Sequence, residues 1–424
     1  MRTRADTPLD DLVCAAAEQL DGVKTIIALF KRTIDSPRLT HDELEAMLVE
    51  KLVTQEIVDF FKCHDSVPEK PWINPPLIHA GGDFYRDRGV LGFLTLACAS
   101  LPACYCWSDE AYLLGCTGRL ERQDEVPRRL PETAKFVLDV ATKESFAPEG
   151  IAIHASHKVR LMHSILRFLV ITKQTAIAEG HEDAAARMRL SKETDTVFGH
   201  NWTAERGPPI SQELLIGTLL TFHYVVLDGF DRMDVHVTDE EKEAYLHRWN
   251  VVGYFLGIDE RVLACLNTME DAKTMFDLIM ERNRNASGDG PVLEKALLGY
   301  MQNNIIDRVM GGGANPLIVI PRILTRQLSG KETSQAISLK LGFFGSILKY
   351  PVWWGTRLVG HLSNSPKARK LTNMLMNYVA KTVWNWRTPE KGPATADGLA
   401  RVGEGTRDAI TLPPSLAKHW GISK

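Results

Sequence analysis

The sequence lacks the short motifs that mark several large enzyme classes: it has no GxGxxG, P-loop, GxSxG or HExxH pattern. Cysteine is sparse, with seven in 424 residues. Cys98, Cys104, Cys106 and Cys116 lie close together without a CxxC spacing, which favours small buried thiols over a zinc site. The opening MRTRADTPLDDL has no apolar signal core, and no unbroken apolar run of membrane-spanning length occurs, so a cytoplasmic chain without a clear transmembrane segment is expected. Charge is not gathered in blocks. The formal net charge is -3 with Lys and Arg dispersed, so no nucleic-acid partner is expected. Strand signals are scarce too; LIVIPRIL (317–324) is the best of them and suits a helix equally well.

What is present is helical periodicity. Residues 9–33 and 41–63 carry apolar residues three and four apart, and THDELE opens the second run with a capping pattern. A Pro-rich connector (67–77) and a Gly-containing loop (80–89) follow. Further helices are expected over 89–101, 108–118 and 131–146, the last with Pro131 in its first turn. Ser211 is read as the cap of the next apolar helix, and TDEEKEAYLHRWNVVGYFLG as a helix from N-cap Thr238 to Gly257. Helices over 270–284, 291–309 and between 333 and 386 complete an all-α reading. It is a single helical domain over 1–386, with a core at about 85–310 and an N-terminal cap at 9–63, followed by an extended Gly/Pro-containing tail at 387–424. The stretch 339–362 is interrupted by two lysines and a proline. Its Trp353 and Trp354 suit either packing or peripheral membrane contact.

One helix carries the chemistry. In HKVRLMHSILRFLV (157–170), Arg160, His163 and Arg167 fall on one stripe, with Val159, Met162, Leu166 and Val170 alongside as an expected apolar face. A histidine presented from a helix into an apolar slot is one way haem iron takes its proximal ligand, and flanking arginines suit the two haem propionates. The competing reading is a core histidine beside a surface arginine pair. His154 and His157, at what reads as the helix entrance, are expected to be solvated or capping. A carboxylate-bridged di-iron site would need Glu-x-x-His pairs; none occurs, since Glu243 precedes His247 by four residues.

Five blocks in consistent order favour the haem reading: LGFLTLACASLPACY (91–105), TGRLERQDEVPRRLPETAKFV (117–137), VRLMHSILR (159–167), GPPISQELLIGTLLTF (207–222) and EAYLHRWNVVGYFLGID (243–259). Together they resemble the MpaB/rubber oxygenase (latex clearing protein) catalytic-domain family. The resemblance implies a globin-like helical core around haem b, with additional N- and C-terminal helices. It implies His163 as the axial metal ligand with Arg160 and Arg167 as cofactor-binding neighbours. Arg129, Glu132 and Thr133 would line the other haem face, where the family has a lysine at the position of Glu132. That departure replaces a donor by a base or hydrogen-bond acceptor. The implied chemistry is dioxygen-dependent cleavage of a C=C bond in a hydrophobic alkene, isoprenoid or unsaturated lipid-like. The same residues would also serve a haem-binding sensor or carrier, or a peroxidase/peroxygenase. Phe343, Phe344, Trp353 and Trp354 are read as packing or as the lining of an apolar channel; His223, His247 and Trp249 are read as packing residues or as supports behind the residues of the site.

Overall fold

A computed structural model of the chain describes residues 1–116, 126–142, 144–178, 202–283, 289–302, 319–365 and 368. Among these every regular element is a helix. An N-terminal group comprises α1 (Thr7–Gln19), α2 (Gly22–Asp35), α3 (His41–Val49) and α4 (Gln55–Lys62). The body comprises α5 (Pro75–Thr95), α6 (Ser108–Cys116), α7 (Val126–Ala141), α8 (Ile151–Ala178), α9 (Gln212–Phe222), α10 (Tyr224–Arg232), α11 (Asp239–Phe255), α12 (Met269–Asn283), α13 (Asp289–Met301), α14 (Ile320–Ala336) and α15 (Gly342–Ser363).

The caps form where the sequence places them. The Thr40 hydroxyl accepts from Glu43 N at 3.2 Å, Ser211 accepts from Leu214 N, and Thr238 with Glu241 closes a reciprocal capping box. The two N-terminal runs each split. Gly22 (φ 59°) separates α1 from α2, and Lys51 (φ 56°) lies between α3 and α4. The Gly-containing segment 80–89 is not a loop but lies inside α5. A Cβ on Gly81 would stand 2.6 Å from Ala244 O and 2.8 Å from the Arg248 Cβ. The glycine is there to let α5 and α11 approach closely. Beyond Thr95 the chain runs through a buried π-helical turn, Leu96–Ser100, into Leu101–Cys104.

Two apolar cores meet at α8. Leu161, Ile165 and Leu169 pack with the N-terminal helices, whereas Ala152, Ile153 and Val170 belong to the larger core built on α5, α9, α10 and α11. α8 is thus buried on two sides at once. Among the described residues one stretch, Gln212–Arg232, is long and apolar enough to cross a membrane; it breaks at His223 and its most apolar window is 83% buried inside the fold.

Candidate functional site

His163 lies near the middle of α8 and is half-buried, its Nδ1 atom enclosed by the fold. Its neighbours along the helix, Val159, Met162 and Leu166, are also only half-buried. Of the expected apolar face only Val170 is closed; the other closed apolar positions of this stretch are Leu161, Ile165 and Leu169, which that face omitted. A helix gripped from two sides buries more of its circumference than a single stripe indicates.

The two arginines are deeply engaged. Arg160 forks onto Asp6, with Nε to Oδ2 at 2.6 Å and Nη2 to Oδ1 at 2.8 Å. The Arg167 Nε donates to both Asp10 oxygens at 2.9 Å and its Nη1 to Ile210 O at 3.2 Å; Ser164 Oγ adds a 2.6 Å bond to Asp10 Oδ1. Burial pushes the Asp10 carboxyl up, against the pull of Arg167. The Arg–carboxylate chemistry expected for haem propionates is thus present, but its carboxylates belong to the start and first turn of α1. Gly257, with φ 85°, closes the same site. A Cβ there would lie 2.5 Å from Asp6 Oδ2 and 2.8 Å from Arg160 Nε. Each pair flanks His163 within about one helical turn and locks α8 against α1.

Asp6→Asn removes the buried charge that Arg160 faces and is expected to destabilise the fold by about 3–5 kcal/mol. Urea denaturation monitored by circular dichroism measures this; a loss within about 0.5 kcal/mol, typical of a surface site, would show that the pair holds nothing.

Glu132 is exposed, not set in an apolar pocket, and it lies well inside α7, not in its first turn. With Lys135 and Asp139 it forms a charged stripe three and seven residues apart. Lys158 is lowered to about 8 by burial, and Glu132 is among the carboxylates that raise it back. Lys158 itself lies five residues, about 7.5 Å along the α8 axis, from His163. Thr133 is half-buried on the side of Val137. Arg129 has its backbone in α7; nothing further of its side chain is described, and residues 117–125 and the whole of 387–424 lie outside the described residues.

The other histidines are interior. His157 is 1% exposed and packs on Phe61 at 4.9 Å and Phe255 at 5.8 Å; burial holds its imidazole well below the usual value. His154 is buried as well, beside His41. Neither is solvated or capping, because α3 and α4 cover what reads as an open helix entrance. His223 is fully buried beside Asn250 and pushed down to about 3, hence neutral; His247 Nε2 accepts from Asn74 N at 2.9 Å. Trp249 packs against Phe222. These three are packing residues. Among the described residues, His41, Asp65 and Glu149 form the group able to hold a metal ion by spacing, and it lies at the α3–α4 end, away from His163.

The sequence reading missed three buried polar groups. Arg248 is 2% exposed and is taken up in the Discussion. Glu110 accepts from Thr218 Oγ1 at 3.0 Å, and Glu294 has no hydrogen-bond partner on either oxygen among the described residues. Burial raises both carboxyls to about 8. Raised folded-state values mean stability that is full below about 4.5 and is lost as pH rises through 8. The folding constant should fall roughly tenfold per pH unit for each group across that window. Melting temperatures from pH 5 to 9 check this, and Glu110→Gln with Glu294→Gln should flatten the decline. An equally steep decline in the double variant would assign it elsewhere.

For haem, the donor set fits in part. An imidazole on a rigid helix, bordered by half-buried apolar side chains, is suited to an axial ligand. The arginines, by contrast, already hold carboxylates.

An all-helical fold built around one histidine-bearing central helix defines the class, and comparison with known proteins places it further. Residues 115–420 match the family model described as ER-bound oxygenase mpaB/B'/Rubber oxygenase, catalytic domain, and the chain belongs to that oxidoreductase family. It is 21% identical over 272 residues to the rubber oxygenase of Streptomyces sp. (strain K30), covering 63% of this chain and 57% of that protein; the chain thus spans little more than half of that relative's length. The structure of latex clearing protein LCP in the closed state shares the fold, with a TM-score of 0.54 and 16% identity over 87% of this chain and 79% of the other.

Proposed function

We propose that the chain is a haem b-dependent oxygenase using dioxygen to cleave a C=C bond in an isoprenoid or unsaturated lipid-like alkene, acting in the cytoplasm. The observation that carries this reading is His163 itself, half-buried mid-helix among apolar neighbours and bracketed by two buried arginines, each paired with an aspartate. The rubber oxygenase relative supports the hydrophobic alkene as substrate class. His163 would hold the iron. Haem would supply the means of activating dioxygen; the chain's own residues do the rest. Arg160 and Arg167 keep α8 from rotating and so fix the direction of the imidazole. The half-buried apolar side of α8 excludes water and receives the alkene by the hydrophobic effect. Arg129, Glu132 and Thr133 on α7 are assigned to the polar side of the site, Thr133 orienting through its hydroxyl. Glu132, being exposed, is the member able to exchange protons with solvent.

The test is an absorption spectrum of the full chain purified with haem precursor supplied, followed by turnover of isoprenoid alkenes under dioxygen. A Soret band and oxygen-dependent cleavage support the reading. A Soret band without turnover would leave a sensor or carrier, and no Soret band would overturn it.

A further inference from the structure

Among the described residues, the longest run of exposed apolar side chains lies on α15. Seven of the thirteen exposed large hydrophobic side chains among the described residues sit on this one helix, led by Phe343 at 75% and Trp354 at 65% exposure. At about 100° per residue, Phe343, Ile347, Tyr350, Trp354, Leu358 and Leu362 fall within an arc of about 120°. The helix itself is firmly seated. Gly345, Gly360 and Ser363 are buried beneath it, Gln327 Nε2 donates to Thr356 Oγ1, and Arg357 forks onto Asp234, with Nη2 to Oδ1 at 2.6 Å. Asn364 accepts from His236 N at 2.7 Å and donates to Asp234 O, fastening the helix end. A helix seated along one side cannot cross a bilayer, yet it holds about 29 Å of apolar stripe outward.

Charge selects what covers that stripe. From 333 to 370 the chain has Lys340, Lys349, Arg357, Lys367, Arg369 and Lys370 and not one Asp or Glu, in a protein whose net charge is -3. Asp234 neutralises Arg357, and the Lys349 ammonium stands 4.8 Å over the Tyr350 ring. A second copy seated face to face would bring like charges together, which is unfavourable. An apolar stripe with Trp and Tyr, on a segment that carries cations and no carboxylate of its own, is complementary to an anionic lipid headgroup layer.

We propose that α15 is an interfacial helix that docks the protein on an anionic membrane surface, lying in the headgroup plane. The proposal stands on α15 alone and is independent of the reaction at His163. Flotation of the full chain with vesicles tests it, comparing phosphatidylcholine alone with a mixture containing one-third phosphatidylserine, at low and high salt. The expected result is binding to the anionic vesicles that weakens with salt. Ile347→Ser with Trp354→Ser should lower the partition at least about tenfold without shifting the melting temperature, since both side chains are exposed. Lys340→Glu should weaken binding to the anionic vesicles only. Failure to float with either vesicle, or undiminished flotation of the double variant, overturns the proposal. So does a dimer, by light scattering, that the double variant converts to monomer while vesicles are ignored: the occupant would then be a second copy.

Discussion

Replacing His163 by alanine is expected to leave the helices standing while haem content per chain falls at least about tenfold. Outer-shell changes around a metal already cost 10–100-fold in affinity, and loss of the ligand itself costs no less. The fold should tolerate the change for a local reason. His163 is only half-buried, alanine is the best helix former, and the grip on α8 comes from Arg160–Asp6 and Arg167–Asp10, which the substitution leaves intact. Far-ultraviolet circular dichroism should therefore match the parent while the Soret band collapses. Retention of full haem occupancy with an unchanged spectrum would overturn His163 as the iron ligand. Loss of the helical signal together with the Soret band would instead show that the imidazole is part of the scaffold.

The second large effect is structural. Arg248, on α11, donates Nε and Nη2 to Val140 O at 2.8 and 2.6 Å, Nη1 to Ile78 O at 2.7 Å, and Nη2 again to Thr142 O at 2.6 Å and Ser145 Oγ at 2.9 Å. One guanidinium thus ties α5, the end of α7 and the loop leading into α8 to a single helix. Burial pulls its value down to about 9, the cost of holding a cation where carbonyl dipoles do the stabilising. Arg248→Leu strands several buried acceptors at about 1–3 kcal/mol each, a total comparable to the whole stability of a typical domain. Loss of cooperative urea unfolding is expected. Arg248→Lys, which keeps the charge without the planar fork, should fall between the two. A leucine variant with an unchanged denaturation midpoint would refute the hub.

Much of this molecule is written locally in its sequence. The Thr40, Ser211 and Thr238 caps, the helix stop at Gly257 and the all-helical class depend on contacts within a few residues, so spacing alone reveals them. The Arg160–His163–Arg167 stripe is legible for the same reason. Glu132 could have been placed as well, since Lys135 and Asp139 mark its stripe as charged. What was not legible is everything that depends on which elements meet. Asp6 and Arg160 lie 154 residues apart, and Asp10 and Arg167 lie 157 apart; no periodicity links them. The burial of His154 and His157 follows from α3 and α4 folding over them. Segment 80–89 stays helical because Gly81 has α11 to pack against. The sequence by itself determined the helices, their ends and the stripe that carries His163. Only tertiary structure decided which carboxylates hold that stripe, because pairing across such distances is set by the packing of whole helices and not by the residues that flank each charge.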